Sequence, residues 1–157
     1  MSSQIISIDR SVSFDLAAFT KQYLRNARIF DQDTQALTLA EIDLTEVIFE
    51  NALKKGEQKI GGKKRLSRLK EGKYILLDAL VLKNILENKH LIPEKWENLF
   101  ITGKIKKICF DGTEIKNDSI SNQVLYLSWR GGDWYWSTES TSNNSGIEKV
   151  SAVLLKK

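Results

Sequence analysis

The densest chemical feature of the sequence is a cluster of aromatic residues near its C-terminus, Trp129, Trp134, Tyr135 and Trp136. On a β-strand, Trp134 and Trp136 share one face and Tyr135 points from the other. In one interpretation the tryptophans are core and Tyr135 is ordinary surface. In the other, Tyr135 belongs to a ligand-facing surface, because Tyr, Ser, Asn and Gly are residue types that recognition surfaces use.

Polar residues near Tyr135 would complete such a surface. Arg130 and Asp133 flank a Gly-Gly pair just before the aromatic strand, and residues 138–144 follow it. Small polar residues of this kind do not bury a core, so residues 138–146 are typical of a surface loop. The functional interpretation therefore predicts a recognition surface made by Tyr135, its two charged neighbours and this loop.

A second candidate for chemistry is the basic segment 54–73. Nucleic-acid phosphates are neutralised by Lys and Arg side chains clustered on one face. On a helix over residues 63–70, Lys64 and Arg68 align four residues apart while Leu66 and Leu69 face the core. The nucleic-acid-binding candidates are Lys59, Lys63, Lys64, Arg65, Arg68 and Lys70. The same spacing is ordinary for a solvated helix, and no known nucleic-acid-binding motif accompanies it, so both interpretations stay open.

The glycines and lysines of residues 56–64 have the composition of a phosphate-binding loop but not its spacing. Such a loop needs Lys directly after its second Gly, then Ser or Thr to hold magnesium. Here Gly61 is followed by Gly62, and no Ser or Thr follows Lys63. The pattern argues against a nucleotide hydrolase and favours a solvated basic loop.

Cysteine and histidine each occur once. The single Cys109 excludes a disulfide framework and a Cys-rich zinc site, and the single His90 argues against His-based metal or triad chemistry. Cys109 lies in an alternating strand pattern between two apolar residues, which favours a buried thiol over a nucleophile. We therefore expect no catalytic residue, no metal site and no cofactor, and a protein that is not an enzyme.

The first third of the chain predicts short strands and one helix. Residues 5–12 are β-prone, and apolar residues at helical spacing after Ser13 predict a helix of about ten residues with Ser13 as its N-cap. Residues 36–44 alternate between apolar and polar, which is typical of a strand. Residues 45–53 fit either a strand or a helix.

The middle third predicts three helices. Residues 54–72 indicate a loop and then a short basic helix that Gly72 ends. A second helix begins at Asp78, its N-cap, and places its apolar residues on one face. Pro93 suits the first turn of a third helix, from which Trp96 would pack inward.

The last third changes to two-residue alternation. The pair Asp111-Gly112 predicts a hairpin turn, because Asp-Gly tolerates the positive φ angles of a tight turn. A second hairpin is predicted across residues 130–133, and residues 150–155 predict a final strand.

Charge is unevenly distributed over the 157 residues. Residues 1–50 carry 4 basic and 8 acidic side chains, residues 51–107 carry 15 and 6, and residues 108–157 carry 5 and 6. The positive charge thus lies in the middle third. The composition is that of a globular domain, and we expect neither a membrane span, nor a membrane partner, nor a secretory signal, which makes a cytoplasmic location the expectation.

Several runs of sequence are distinctive in their order and spacing. They are ISIDRS (6–11), ALTLAEIDLT (36–45), LKKGE (53–57), RLSRLK (65–70), LDA (77–79), LENKHLIPEKW (86–96), FDGT (110–113), VLYLSW (124–129) and VSAVL (150–154). Over nearly the full chain they resemble a group of uncharacterised bacterial proteins that is common in candidate-phyla genomes. These runs mark a fold and carry no chemistry of their own.

In that group, the C-terminal stretch is similar to the variable region of the target proteins of diversity-generating retroelements. The resemblance implies a C-type-lectin-like fold that displays the variable residues on a ligand-binding face. It implies the ligand-binding residues Arg130, Asp133, Tyr135, Ser137, Thr138, Glu139, Thr141, Ser142, Asn143 and Asn144. The chain departs from the group at residues 147–150, where the group has further tryptophans and a proline.

The sequence therefore predicts one α+β domain over residues 1–157, with a helical and mixed part over 1–100 and an antiparallel β-hairpin part over 101–157. We expect a cytoplasmic binding or interaction protein that presents its aromatic and Ser/Thr/Asn-rich C-terminal surface to a protein or other macromolecular ligand. The alternative is a nucleic-acid-associated protein that binds through the basic segment 54–73.

Overall fold

Alternating apolar residues in the last third of the chain build the centre of a large β-sheet, and short strands from the first half complete it. The structure, a computed structural model, describes residues 4–156, and within them this sheet has seven strands. They are β2 (Arg28–Gln32), β4 (Ile48–Glu50), β5 (Tyr74–Leu76), β6 (Lys107–Lys116), β7 (Gln123–Arg130), β8 (Asp133–Ser140) and β9 (Lys149–Leu155). A separate small sheet pairs β1 (Ile5–Ser7) with β3 (Glu41–Asp43).

The large sheet is mixed rather than wholly antiparallel. Its strands lie in the order β4-β9-β6-β7-β8, with β2 added to β6 and β5 added to β9. β6 and β9 are parallel, so the expectation of an antiparallel C-terminal part is wrong for this pair. The reason is that residues 141–148 lead from the end of β8 back to the start of β6, and β9 then runs alongside β6 in the same direction. The helices and this mixed sheet form an α+β fold, as the sequence predicts.

The helices of the described residues are α1 (Leu16–Thr20), α2 (Gly62–Glu71), α3 (Ala79–Glu87) and α4 (Glu94–Ile101). The predicted N-cap of α3 is confirmed, because the Asp78 carboxylate accepts a hydrogen bond from the Val81 N–H at 3.3 Å. Gly72 ends α2 as predicted. Pro93 is the N-cap of α4, and Trp96 is fully buried. Among residues 4–156, no helix is both long enough and apolar enough to cross a membrane.

One face of the large sheet is apolar and packs against α1, α3 and α4. Phe19 of α1 stacks on Trp136 with 4.5 Å between ring centroids. Phe100 of α4 meets Trp134 edge-on at 5.4 Å. Burial of these large rings helps to stabilise the C-terminal strands.

The opposite face carries α2. Leu69 of this helix packs with Leu76 and Val153 of the sheet, and Arg65 reaches the carboxylate of Asp111. These contacts lie over β5, β9 and β6, so α2 covers this side of the face, and its first residue, Gly62, reaches the loop that follows β8.

The first helix differs from its prediction. α1 begins after Asp15, whose carboxylate accepts the Ala18 N–H, and not after Ser13. It has five residues because the chain turns after Thr20, and this turn places Tyr23 edge-on against Trp136 at 4.8 Å. The Tyr23 N–H donates to the Thr20 carbonyl at 2.9 Å, so a tight turn replaces the rest of the predicted helix.

Residues 36–44 form a 3-10 turn (Ala36–Thr38) and then β3, not one continuous strand. The Asp33 carboxylate accepts the Gln35 N–H at 2.9 Å, which starts the turn, and Ala36 is fully buried. The segment 45–53, for which strand and helix were both open, contains β4.

The hairpin expected at Asp111-Gly112 is wrong, because both residues lie inside β6. The Asp111 carboxylate is buried against Arg65, and the Gly112 N–H donates to the Leu77 carbonyl at 2.9 Å. A Cβ atom at Gly112 would lie 2.2 Å from the Leu76 carbonyl oxygen. Because glycine has no side chain at this position, β6 can pack directly against the backbone at the end of β5.

Candidate functional site

The second predicted hairpin is confirmed and forms the frame of the candidate site. β7 and β8 pair along their full lengths, with Arg130 opposite Asp133 across the turn. Gly131 and Gly132 occupy the turn with φ angles of 61° and 84°, which residues with a Cβ atom adopt at a cost. This register fixes which side chains of the hairpin share a face.

Tyr126 and Arg130 of β7 lie on the same face as Tyr135 and Ser137 of β8. We call these four residues the tyrosine face. Trp134 and Trp136 lie on the other face, in the apolar core or packed against it. The predicted separation of Tyr135 from its two neighbouring tryptophans is therefore confirmed.

Cations stack on both tyrosines. The Arg130 guanidinium lies 5.2 Å from the centroid of the Tyr135 ring, and the Lys107 ammonium lies 4.9 Å from that of Tyr126. Such contacts hold a cation over the ring. The Lys107 ammonium also donates to the Glu139 carboxylate at 2.8 Å. Arg130 is exposed, so its donors face solvent.

The tyrosine face stays partly open because the surrounding helices pack elsewhere. α1 and α4 contact the opposite face through Trp136 and Trp134, and α2 lies over β5, β9 and β6. Tyr126, Tyr135 and Ser137 are accordingly half-buried. A half-exposed sheet face with two tyrosines and an exposed arginine is suited to contact with a partner.

Asp133 and Glu139 alternate with Tyr135 on the same side of β8, but both carboxylates already have partners. The Asp133 carboxylate accepts the Trp134 N–H at 2.7 Å and lies 3.3 Å from the Lys89 ammonium; this backbone hydrogen bond, followed by the contact with Lys89, lowers the pKa of Asp133. Glu139 is buried and contacts Lys107 and Lys149 at 2.8 and 2.7 Å. Burial disfavours its charge, but the two lysines outweigh that effect and lower its pKa.

Thr138 lies on the same face as the two tryptophans, because it alternates with Ser137 and Glu139. β8 continues to Ser140, so the loop begins at Thr141 and not at Thr138. Ser142, Asn143 and Asn144 are exposed. Four of the ten predicted ligand-binding residues, those from 141 to 144, thus extend beyond the end of the sheet instead of lying beside Tyr135.

The loop packs against the start of α2. A Cβ atom at Gly62 would lie 2.1 Å from the Thr141 carbonyl oxygen and 2.6 Å from that of Asn143. Gly62, the second glycine of the pair that partly resembles a phosphate loop, therefore allows close approach of backbone to backbone.

Half of the predicted nucleic-acid-binding residues are engaged in ion pairs. Arg65 is buried against Asp111, Arg68 binds the Glu57 carboxylate, and Lys70 contacts Asp31 and Glu114. The remaining candidates, Lys59, Lys63 and Lys64, are exposed. The six cations therefore do not form one common accessible surface.

Cys109 is fully buried, and burial raises the pKa of its thiol to about 12. His90 is exposed. In the part of the chain that the structure describes, no group of three His, Cys, Asp or Glu residues could hold a metal ion.

Sequence reasoning missed Tyr126 and Lys107 as members of the site. Tyr126 could have been found, because counting outward from the Gly-Gly turn places it opposite Ser137. Lys107 could not, since its place over Tyr126 depends on the neighbouring strand.

Comparison of the chain with protein-family models, with curated proteins and with solved structures finds no match in any of the three. The C-type-lectin-like fold and the relation to retroelement-diversified proteins stay predictions from the sequence.

Proposed function

We propose that the protein is a non-catalytic binding protein of the cytoplasm that recognises a partner macromolecule through the tyrosine face. The observation that supports this most directly is the stacking of the exposed Arg130 on the half-buried Tyr135, on a sheet face that the helices leave open.

The chemistry of these residues suits binding. Tyrosine offers a large contact area with little loss of side-chain entropy, and arginine stacked on an aromatic ring loses less freedom when it forms hydrogen bonds. The Lys107 ammonium over Tyr126 is already paired with the Glu139 carboxylate at 2.8 Å, whereas Arg130 has no ion pair within the described residues. The face would therefore favour a partner with acidic or hydrogen-bond-accepting groups among its contacts. Ser142, Asn143 and Asn144 provide adaptable polar contacts beyond the end of β8.

The test compares Arg130→Ala and Tyr135→Ala with Arg28→Ala. Arg28 is an exposed arginine on another strand of the same sheet and is a matched control. Each purified variant is immobilised and used to capture partners from the native lysate, and the affinity for each captured partner is then measured. We expect the first two variants to lose about 30-fold in affinity if these residues are central contacts.

Arg28→Ala should bind like the wild type. Equal affinity of all three variants for every captured partner would contradict the use of the tyrosine face. Circular dichroism and thermal unfolding of each variant show whether a loss of binding reflects a loss of fold.

A further inference from the structure

β8 is the outermost strand of the sheet and has β7 on one side only. In an antiparallel ladder, alternate residues direct both backbone groups towards the neighbouring strand. The Arg130–Asp133 pair closes the two-residue turn, and the Thr141 N–H donates to the Asn122 carbonyl at 2.9 Å. These two contacts fix which residues of β8 bond to β7. The backbone N–H and C=O groups that face β7 are those of Asp133, Tyr135, Ser137 and Glu139. The backbone groups of Trp134, Trp136, Thr138 and Ser140 point away from the sheet.

At each end of this free edge one outward backbone group is already bonded, and at its centre none is. The Trp134 N–H donates to the Asp133 carboxylate, and the Ser140 carbonyl accepts the Asn143 N–H at 3.2 Å. Within residues 4–156, neither N–H nor C=O of Trp136 and Thr138 bonds to any protein group. Two adjacent outward positions therefore offer two donors and two acceptors with the spacing of a β-ladder.

A groove of about 530 Å³ runs beside this edge. Phe19, Tyr23, Leu86 and Trp136 supply its apolar lining, and Lys83, Glu87 and Lys89 supply its charged lining. A strand laid against β8 would place every second side chain over this groove, on the same face as Trp136. Its apolar lining selects apolar side chains at those positions.

The other face of the same edge favours negative charge. Lys83 is paired with Glu87, and Lys89 with Asp133, so the groove cations already have carboxylate partners. Arg130 has no ion pair within the described residues, and its guanidinium leans over Tyr135, on β8. An acidic side chain on the alternate positions of an added strand would meet this guanidinium.

A second copy of the chain fits the edge less well than a single strand does. In an antiparallel β8–β8 pair, both copies would bring Trp136, with Phe19 and Tyr23 packed on it, to the same face beside the shared edge. Each groove would then have to accommodate the rings of the other copy. A single extended segment carries no such packed aromatic rings, so this crowding does not arise.

Building on the function proposed above, we propose that the partner supplies an extended polypeptide segment that adds as a strand to the free edge of β8. Its backbone bonds to Trp136 and Thr138, its apolar side chains enter the groove, and an acidic side chain binds Arg130. Backbone bonds provide affinity in this mode of recognition, and the alternating side chains provide specificity.

The experiment begins with a displayed library of random 12-residue peptides, selected on the wild-type protein and on Arg130→Ala. We expect enriched peptides that alternate apolar and acidic residues and bind Arg130→Ala at least about tenfold more weakly. The best peptide is then synthesised in two forms, N-methylated at odd or at even positions. One form should lose about tenfold or more in affinity for each hydrogen bond removed, and the other should bind like the parent.

Amide hydrogen exchange followed by NMR reads the edge directly. Peptide binding should slow exchange at Trp136 and Thr138 by about tenfold or more, while Tyr135 and Ser137, which already bond to β7, change little. The inward amides of Tyr135 and Ser137 are thus the control for the outward amides of Trp136 and Thr138, and the experiment needs no protein variant.

Strand addition is wrong if no peptide is enriched, if both N-methylated forms bind equally, or if the two outward amides stay fast in the complex. Protection of these amides in the free protein that rises with protein concentration would instead identify a second copy at the edge. Binding that depends on Arg130 and Tyr135 without amide protection would overturn strand addition and leave the function proposed above intact.

Discussion

Arg65 of α2 and Asp111 of β6 form a two-point ion pair with nitrogen-to-oxygen distances of 2.8 and 3.1 Å. Their side chains are only 3% and 1% exposed. Burial disfavours the charge of Asp111, but the attraction of Arg65 and its hydrogen bonds outweigh that effect and hold the pKa of Asp111 below its ordinary value. The pair joins the only helix on this face of the sheet, within the described residues, to the central strand.

Asp111→Asn should destabilise the protein strongly, because it leaves the buried Arg65 without a countercharge. We expect the free energy of unfolding to fall by about 3–5 kcal/mol, measured by urea denaturation. Glu87→Gln is the matched control, since it removes an exposed i,i+4 partner of Lys83 and should lower stability by only about 0.5 kcal/mol. Similar losses in the two variants would show that the buried pair contributes no more than the exposed one.

The same pair predicts a loss of stability in acid. The pKa of Asp111 lies lower in the folded protein than its ordinary value of 3.8, so its contribution is complete above pH 3.8 and is lost as the pH falls through the folded pKa. Urea denaturation of the wild type at stepped pH from neutral into this range should show the decline. In Asp111→Asn this component should be missing, and a decline of equal size there would assign it to other carboxylates.

Asp111 also shows where prediction from the sequence stops. An Asp-Gly pair between alternating residues is a strong local signal for a hairpin. The signal is overridden because Arg65, 46 residues away in sequence, binds the carboxylate and draws it into the core. The helix from Asp78 and the hairpin at residues 130–133 were predictable, because local capping and turn chemistry decide them.

For the candidate site too, some features could be predicted from the sequence and others could not. The alternation along β8 places Tyr135 opposite its tryptophan neighbours without knowledge of the fold. The open state of the tyrosine face and the free edge of β8 depend on the strand order and on where α2 packs, which no local pattern encodes. Glu139 looked like a surface residue in a polar run, yet Lys107 and Lys149 bind it from two other strands.

Gly62→Ala should displace the loop of residues 141–143 from α2. Its new Cβ atom would overlap the Thr141 carbonyl oxygen, so we expect a loss of about 1–3 kcal/mol in unfolding free energy. The neighbouring Gly61→Ala is the control, because the nearest atom to its Cβ position lies 3.9 Å away, on Asn144. NMR shifts of the loop should move in the first variant and stay in place in the second. Equal effects would mean that the loop does not rest on Gly62.

Cys109 should be inert in the folded protein. The pKa of its thiol is raised to about 12, so little thiolate exists near neutral pH. The thiol is also fully buried, so a thiol reagent cannot reach it in the folded state. A chromogenic disulfide reagent at pH 8 should label it only as fast as the protein unfolds, and at once in concentrated urea. Rapid labelling under native conditions would show that the structure around Cys109 opens readily.

Nucleic-acid binding is tested with the three exposed lysines of the basic segment. Lys59, Lys63 and Lys64 can be replaced by Ala together without breaking an ion pair seen in the structure, whereas replacing Arg65 would leave Asp111 buried and unpaired. If the tyrosine face binds the partner, capture from native lysate should survive both nuclease treatment and this triple substitution, and should fail with Tyr135→Ala. The opposite result has three parts: wild-type capture disappears with nuclease, it weakens steeply with salt, and the lysine variant captures nothing. This result would show that the partner binds the basic segment and not the tyrosine face. The salt dependence separates the two cases, because a phosphate-binding surface releases counterions in proportion to the lysines it uses, while the tyrosine face uses one arginine and depends less steeply on salt.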